Sequence, residues 1–355
     1  MTPSHTPHVY FVSKRLAKAA LLFLLFASAA LFASASQADD LHYFKNYFVT
    51  GDYTTAGVGL YGKGVSGKAT GTINMTAVPS SADIIAAFLY WQTLETSAIT
   101  APSAINGTFD GNAIVGDLIG NPAAQAPGCW TPEGTTSASA YARTYRADVL
   151  RYLTINTALN IRVAAGTHTV ILPDSGAGAI TTTLPHTMGA TLVIVYRMLP
   201  LLSAPYKSVV IYDGADTMTR SSAAFAQMIG GFYQAAGSGA KMTQIVGNGQ
   251  SNMDVNLTVN GSQPSGTIDD EFVGALGPRW DSPTFNINLP NNASTLTTQV
   301  TAENSPTCLS WSAVIMSTNV VDSDGDGLLD IWESQGLHLN PGTYGALATS
   351  TVAYP

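Results

Sequence analysis

The chain has 355 residues, enough for two average domains or one large all-β domain. Only 11% are charged, about half the usual share, while 46% are hydrophobic, which excludes a disordered chain. With 15 basic and 23 acidic residues the net charge is −8; nucleic acid and anionic membrane are poor partners for such a surface, and divalent cations better ones.

The N-terminus reads as an address. Lys14, Arg15 and Lys18 precede the apolar run 19–33, AALLFLLFASAALFA, and two small-residue cleavage sites follow at Ala33-Ser34-Ala35 and Ser36-Gln37-Ala38. That order is a secretory signal peptide over residues 1–38. The run is short for a spanning helix, which needs about 20 residues, and no second long apolar run follows. We therefore expect a secreted or cell-surface protein with no transmembrane segment after cleavage. The mature chain would keep 12 basic and 23 acidic residues, a net of −11.

The rest reads as strands. Tyr43–Thr50, Ile84–Thr93, Ile161–Val163, His168–Leu172, Ala190–Arg197, Ser208–Tyr212, Met253–Val259, Thr284–Leu289, Leu296–Thr301 and Ser310–Thr318 are rich in β-branched and aromatic residues between Gly, Pro, Asn and Asp clusters. Thr191–Tyr196 is apolar throughout, as in a strand buried on both faces. Ser221–Ala235 has apolar residues at Phe225, Met228, Ile229 and Phe232 in helical spacing, interrupted by Gly230-Gly231, and is a predicted helix. Tyr141–Leu153 fits a short helix or a strand. Short strands without βα alternation predict an all-β fold, an antiparallel jelly-roll-like sandwich over 39–319 with one or two short helices. No fixed-period repeat is visible. Met198–Tyr206, with Pro200 and Pro205, is the best internal boundary, equally readable as a long loop.

The two cysteines, Cys129 and Cys308, most simply form one disulfide in an oxidising compartment; two buried thiols are the alternative. Neither has the spacing of a zinc site.

Residues 322–333 read DSDGDGLLDIWE. Calcium takes six to eight oxygen ligands. Asp322, Asp324 and Asp326 hold positions 1, 3 and 5, and Gly327 the sharp turn at 6. Leu328 offers its carbonyl at 7, Asp330 acts directly or through water at 9, and Glu333 closes the set at 12. This fits D-x-[DN]-x-[DN]-G-x₅-E throughout. Five carboxylates so close repel one another unless a cation sits among them; an acidic surface loop without an ion is the plainer alternative, and magnesium suits the donor set less well. A strand, not a helix, precedes the loop, and only Leu328–Gln335 has a helical look. Val320–Gly336 thus resembles the calcium loops of dockerins and thrombospondin type 3 repeats, which keep the ligands without a full helix pair. That likeness implies a structural calcium site over 320–336, followed by a tail, 337–355. A second resemblance lies in strand texture: Ala87–Trp91, Gly189–Tyr196 and Val209–Gly214 look like β-sandwich domains of bacterial and archaeal surface proteins of unknown function, which implies location and architecture.

Other motifs carry less. Gly57–Gly62 and Gly62–Gly67 fit GxGxxG, and Gly62–Lys68 most of a phosphate loop, but Ala69 replaces the Ser or Thr and no βαβ unit surrounds them; a glycine-rich hairpin is the better reading. Hydrolase signatures are missing, and His168 and His186 read as strand or turn residues. Asp269-Asp270-Glu271 fits a solvated turn or a second cation site better than an acid/base pair. Three readings compete. One is a non-enzymatic surface or extracellular module for adhesion or scaffolding, with a glycan or a cell-surface protein as its partner. Another is a carbohydrate-binding or glycoside-cleaving jelly roll using Tyr90, Trp91, Trp130 and Trp280. The third is the N-terminal part of a larger secreted enzyme.

Overall fold

The computed structural model describes residues 41–96, 104–120, 129, 140–176, 184–200, 204–219, 224–235, 239–251, 253–265, 271–303, 308–324 and 329–330. Residues 1–38, read above as a signal peptide, lie outside them. The fold is all-β, a sandwich of packed sheets in which the strand pairings of the described residues are antiparallel. Among the described residues, helix is a 3₁₀ turn at Leu150–Tyr152 and Asp330, where the described chain stops. No described helix is long and apolar enough to cross a membrane.

The first half of the chain forms β1 (His42–Gly59), β2 (Gly64–Val65), β3 (Lys68–Met75), β4 (Ala82–Thr96), β5 (Asn106–Phe109), β6 (Asn112–Val115), β7 (Asp117–Ile119), β8 (Ala140–Asp148), β9 (Thr154–Asn156), β10 (Ile161–Val163), β11 (Gly166–Pro173) and β12 (His186–Met198). The second half forms β13 (Tyr206–Met218), β14 (Ala224–Ile229), β15 (Ala240–Gly247), β16 (Val255–Val259), β17 (Trp280–Asp281), β18 (Thr284–Ile287), β19 (Leu296–Ala302) and β20 (Leu309–Asn319). Met198–Tyr206 is the passage between them.

Ten strands share one hydrogen-bonded path, β17-β15-β20-β13-β1-β12-β4-β8-β7, with β18 also on β15. β1 folds this path in two. Its first part, His42–Thr50, pairs with β13, and Gly51–Gly59 pairs with β12. Two inner sheets result, one on each side of the crossover, and they pack face to face. Phe88, Tyr90, Val193 and Val195 of one meet Val209, Ile211, Ala313 and Ile315 of the other. Each inner sheet has a second buried face. Leu89, Trp91, Leu192 and Ile194 pack on the outer sheet β2-β3-β11-β5-β6. Val210, Val314, Met316 and Trp311 pack on the outer sheet β14-β19-β16. This is why β12 and β20 are buried at nearly every position, whereas outer strands such as β3 alternate buried and exposed.

The two halves repeat one topology. Setting aside the β9–β10 hairpin, each visits inner and outer sheets alternately, starting and ending on the inner one. In each inner sheet the last visit lies between the first and the third: β1-β12-β4-β8 in one half, β13-β20-β15-β18 in the other. The outer orders match as well, β3-β11-β5 and β14-β19-β16.

Two expectations meet this structure. Within Ser221–Ala235 the described residues form strand β14 over Ala224–Ile229 and no regular structure over 230–235, not a helix. Phe225, Gln227 and Ile229 point inward, while Met228 is 63% exposed. Phe225 stacks on Trp311 with centroids 3.9 Å apart. A period of two with a strand partner, β19, prevails over the accidental helical spacing. Tyr141–Leu153 is strand β8 running into the 3₁₀ turn.

At the crossover, a Cβ on Gly51 would lie 2.1 Å from the Tyr196 carbonyl oxygen. Gly51→Val should therefore cost about 3 kcal/mol, the upper end for overpacking, read as a lowered urea midpoint, while Thr54→Val nearby should change little.

Candidate functional site

The acidic loop begins where a core strand ends. β20 is buried along its length except for Asn319, and the Val320 N–H donates to the Tyr206 carbonyl at 2.9 Å, extending the β13 pairing by one bond. Beyond this point Asp322 is half-buried and Ser323 and Asp324 are exposed. The chain then returns on itself. The Ser323 N–H donates to Asp330 Oδ1 and the Ser323 hydroxyl to Asp330 Oδ2, both at 2.6 Å. The Asp330 N–H donates to the Val321 carbonyl at 3.1 Å, and Leu329 is buried. The Ser323 bonds hold the Asp330 carboxyl below its ordinary range.

Position 9 of the loop is thus fastened to position 2, with positions 1 and 3 presented at the surface. Asp326, Leu328 and Glu333 lie outside the described residues, and among the described residues no group of three or more His, Cys, Asp or Glu side chains stands close enough to hold a metal. The donors present are hard carboxylate oxygens, which suit calcium. Asp330, with both oxygens engaged by Ser323, suits the water-mediated role of position 9.

Cys129 and Cys308 form a disulfide, Cα atoms 5.3 Å apart. It ties the connection between β7 and β8 to the start of β20. Tyr90, Trp91 and Trp280 are fully buried and cannot stack on a sugar. Trp91 donates its indole N–H to Ala104, Trp280 to Thr191, and the Tyr90 hydroxyl donates to Asp213. Trp130, Asp269 and Asp270 lie outside the described residues. His168 is buried in β11, its ring nitrogens 2.7 Å from Asp110 Oδ2 and 2.9 Å from the Ala164 carbonyl. His186 is buried 3.8 Å from Asp174. The glycine run is the end of β1 and the β2–β3 hairpin, turning at Ser66-Gly67 with positive φ at both.

Sequence reasoning missed the polar ties between the two inner sheets. Asp213 on β13 accepts from the Tyr90 hydroxyl at 2.8 Å and from the Arg146 guanidinium. That guanidinium lies 3.4 Å from the centroid of the Phe44 ring. Burial raises the Asp213 carboxyl above its ordinary value despite the Arg146 charge. Elsewhere Gln92 on β4 donates across the layers to Ser310 at 3.0 Å and to Ser312 at 3.2 Å, and within one inner sheet Thr217 donates to Ser310 at 3.1 Å. The signal was an aspartate closing the apolar run Val209–Tyr212, where a charge must find a partner.

No family model matches the chain, and no characterised protein sequence is detectably similar. Among solved structures, a chain in the 3.5 Å cryo-EM structure of the Sputnik virophage aligns with 76% of this chain and 85% of its own, at 9% identity and a TM-score of 0.17. A similarity that low carries no argument about fold or function.

Two outcomes follow from this geometry. Arg146→Ala strands the Asp213 carboxylate and should cost about 3–5 kcal/mol at neutral pH. A carboxyl whose folded pKa is raised favours its protonated form in the native state, so this cost should shrink as the pH falls through the acid range; urea midpoints at two pH values read both effects. Replacing both cysteines by serine should remove about 4–5 kcal/mol, the chain-entropy value for a loop this long, and a calorimetric scan would show it.

Proposed function

We propose that the mature chain is an exported, non-enzymatic structural or adhesive module whose acidic loop binds one calcium ion and stiffens the exit from the sandwich. The observation that carries this reading is a complete calcium-loop pattern, Asp322 to Glu333, placed directly after the buried strand β20. Restraint at this exit is transmitted to β13 and β15, the neighbours of β20. The Ser323–Asp330 closure supports it by drawing positions 2 and 9 of the loop together. In this reading Asp322, Asp324 and Asp326 and the Leu328 carbonyl are direct ligands, Glu333 binds through both oxygens, and Asp330 braces the loop. We further read each half as jelly-roll-like, on the strength of the alternating visits to inner and outer sheets.

A glycan-binding reading loses three of its four aromatic platforms to the core. The structural role makes calcium a stabiliser rather than a signal. An ion bound only by the folded form stabilises it by RT ln(1 + [Ca²⁺]/Kd), about 1–3 kcal/mol when calcium is well above Kd. Extracellular modules bind with Kd of about 10⁻⁴–10⁻³ M.

The test is a calcium titration of the melting temperature, repeated with Asp324→Ala. Asp324 is exposed, so its loss leaves the core intact. A saturable rise of about 2–4 °C per kcal/mol is expected, reversed by chelator and absent in the variant. A melting temperature indifferent to calcium, or an equal rise in Asp324→Ala, would sink the proposal.

A further inference from the structure

At the end of the interlayer core beside the β1 crossover, four polar residues share the inner face of one sheet. Lys207 on β13 lies directly opposite Asn319 on β20, and Ser317 on β20 directly opposite Lys241 on β15. Direct antiparallel partners have Cβ atoms about 4.5–5.5 Å apart, so register alone gathers them. All four continue the face that carries Val209, Ile245 and Ile315 into the core. Asp52 reaches them from β1, its Oδ2 2.6 Å from Lys207 Nζ and 3.2 Å from Lys241 Nζ. Lys241 also donates to the Tyr53 carbonyl at 2.8 Å.

Two features of this patch are unsettled within the protein. Two ammonium groups face one carboxylate, leaving an excess positive charge on side chains only 21% and 26% exposed. Burial pulls the Lys241 ammonium below its ordinary pKa despite Asp52. The second is a pair of buried oxygens without a hydrogen-bond partner, Ser317 Oγ and Asn319 Oδ1. Ser317 is 1% exposed. Native proteins rarely leave such atoms unpaired, and each points to something that completes it.

We propose that Lys207, Lys241, Ser317, Asn319 and Asp52 form a binding site for a small protonated oxyanion of the phosphate class. The chemistry matches on both sides. The two ammonium groups and the Ser317 hydroxyl donate to the charged oxygens. Asn319 Oδ1 and the Asp52 carboxylate accept, and so require a ligand that carries a proton of its own. Phosphate supplies both kinds of atom near neutral pH. Sulfate has no proton to give and would set its oxygens against Asp52. Water could satisfy the two oxygens but would leave the excess charge unanswered.

The site is independent of the calcium loop, and its test runs in calcium-free buffer on the whole mature chain. Calorimetric titration compares inorganic phosphate, sulfate and chloride at fixed ionic strength, with a small phosphate monoester as a separate arm. Saturable binding of phosphate at least about tenfold tighter than sulfate is expected. Binding of the monoester as well would identify a phosphate group on a larger molecule as the natural ligand; its exclusion would identify the free ion. Ser317→Ala removes an atom that bonds to nothing else, so it should fold at least as well as the parent and bind phosphate about tenfold more weakly. Asp52→Asn should improve sulfate binding and narrow the discrimination. Equal responses to phosphate and sulfate, or undiminished phosphate binding in Ser317→Ala, would overturn the proposal, and the serine variant decides alone should the aspartate variant fail to fold.

Discussion

One strand serving two sheets is the constraint on which the rest of this structure depends. β1 runs 18 residues, gives its first part to β13 and its second to β12, and passes between them at Gly51. The inner sheets therefore cannot shift independently, because sliding either one drags the strand that borders the other. The crossover also fixes how they face each other, so the interlayer core and the polar ties across it are consequences of where β1 bends. Past the crossover the outer edge of β1 is guarded rather than left open. The Tyr53 N–H is taken by the Asp52 carboxylate, the Tyr53 carbonyl by Lys241, and the Gly59 N–H by the Leu276 carbonyl. Charged side chains spent on an edge strand keep other chains from pairing with it.

Burial on both faces made part of β12 legible in the sequence as the run Thr191–Tyr196. Ser310–Thr318 has serines within it and was legible instead from its β-branched and aromatic residues between turn-forming clusters. β15 was not, because Thr243 and Gln244, buried in the structure, interrupt its apolar residues. Both are satisfied internally, Thr243 by Tyr53 and Thr284, Gln244 by Trp311 and Thr298. β14 was misread since Phe225, Met228 and Ile229 suit a helix as well as a strand until a partner strand decides the period. The repeated topology left no trace in the residues. Connections of different lengths and the extra β9–β10 hairpin destroy any fixed spacing, while strand order, which carries the repeat, is a property of pairing alone.

The same contrast separates the two candidate sites. The acidic loop gathers its donors within twelve consecutive residues, so spacing alone defines it. The phosphate-class patch draws on residues 52, 207, 241, 317 and 319, from four strands. Nothing links them until the register of β13, β20 and β15 and the bend of β1 bring them together.

The few charges inside this protein are placed where apolar packing cannot specify the answer. A sheet buried on both faces carries Val and Ile in either direction, so a one-residue slip exchanges one apolar face for another and costs less than it would in an alternating strand. Buried polar partners remove that degeneracy. A slip of β13 would carry Asp213 away from Tyr90 and Arg146, and a slip of β20 would separate Ser310 and Ser312 from Gln92. β20 lies between β13 and β15, so its register governs both neighbours. It is also the strand restrained at each end, by the Cys129–Cys308 bond at its start and by the Ser323–Asp330 closure beyond its finish. A cation held in the proposed loop would add to the second restraint at the point where a strand most readily frays, its terminus. Placed there, calcium would govern the order of the interlayer core without touching it.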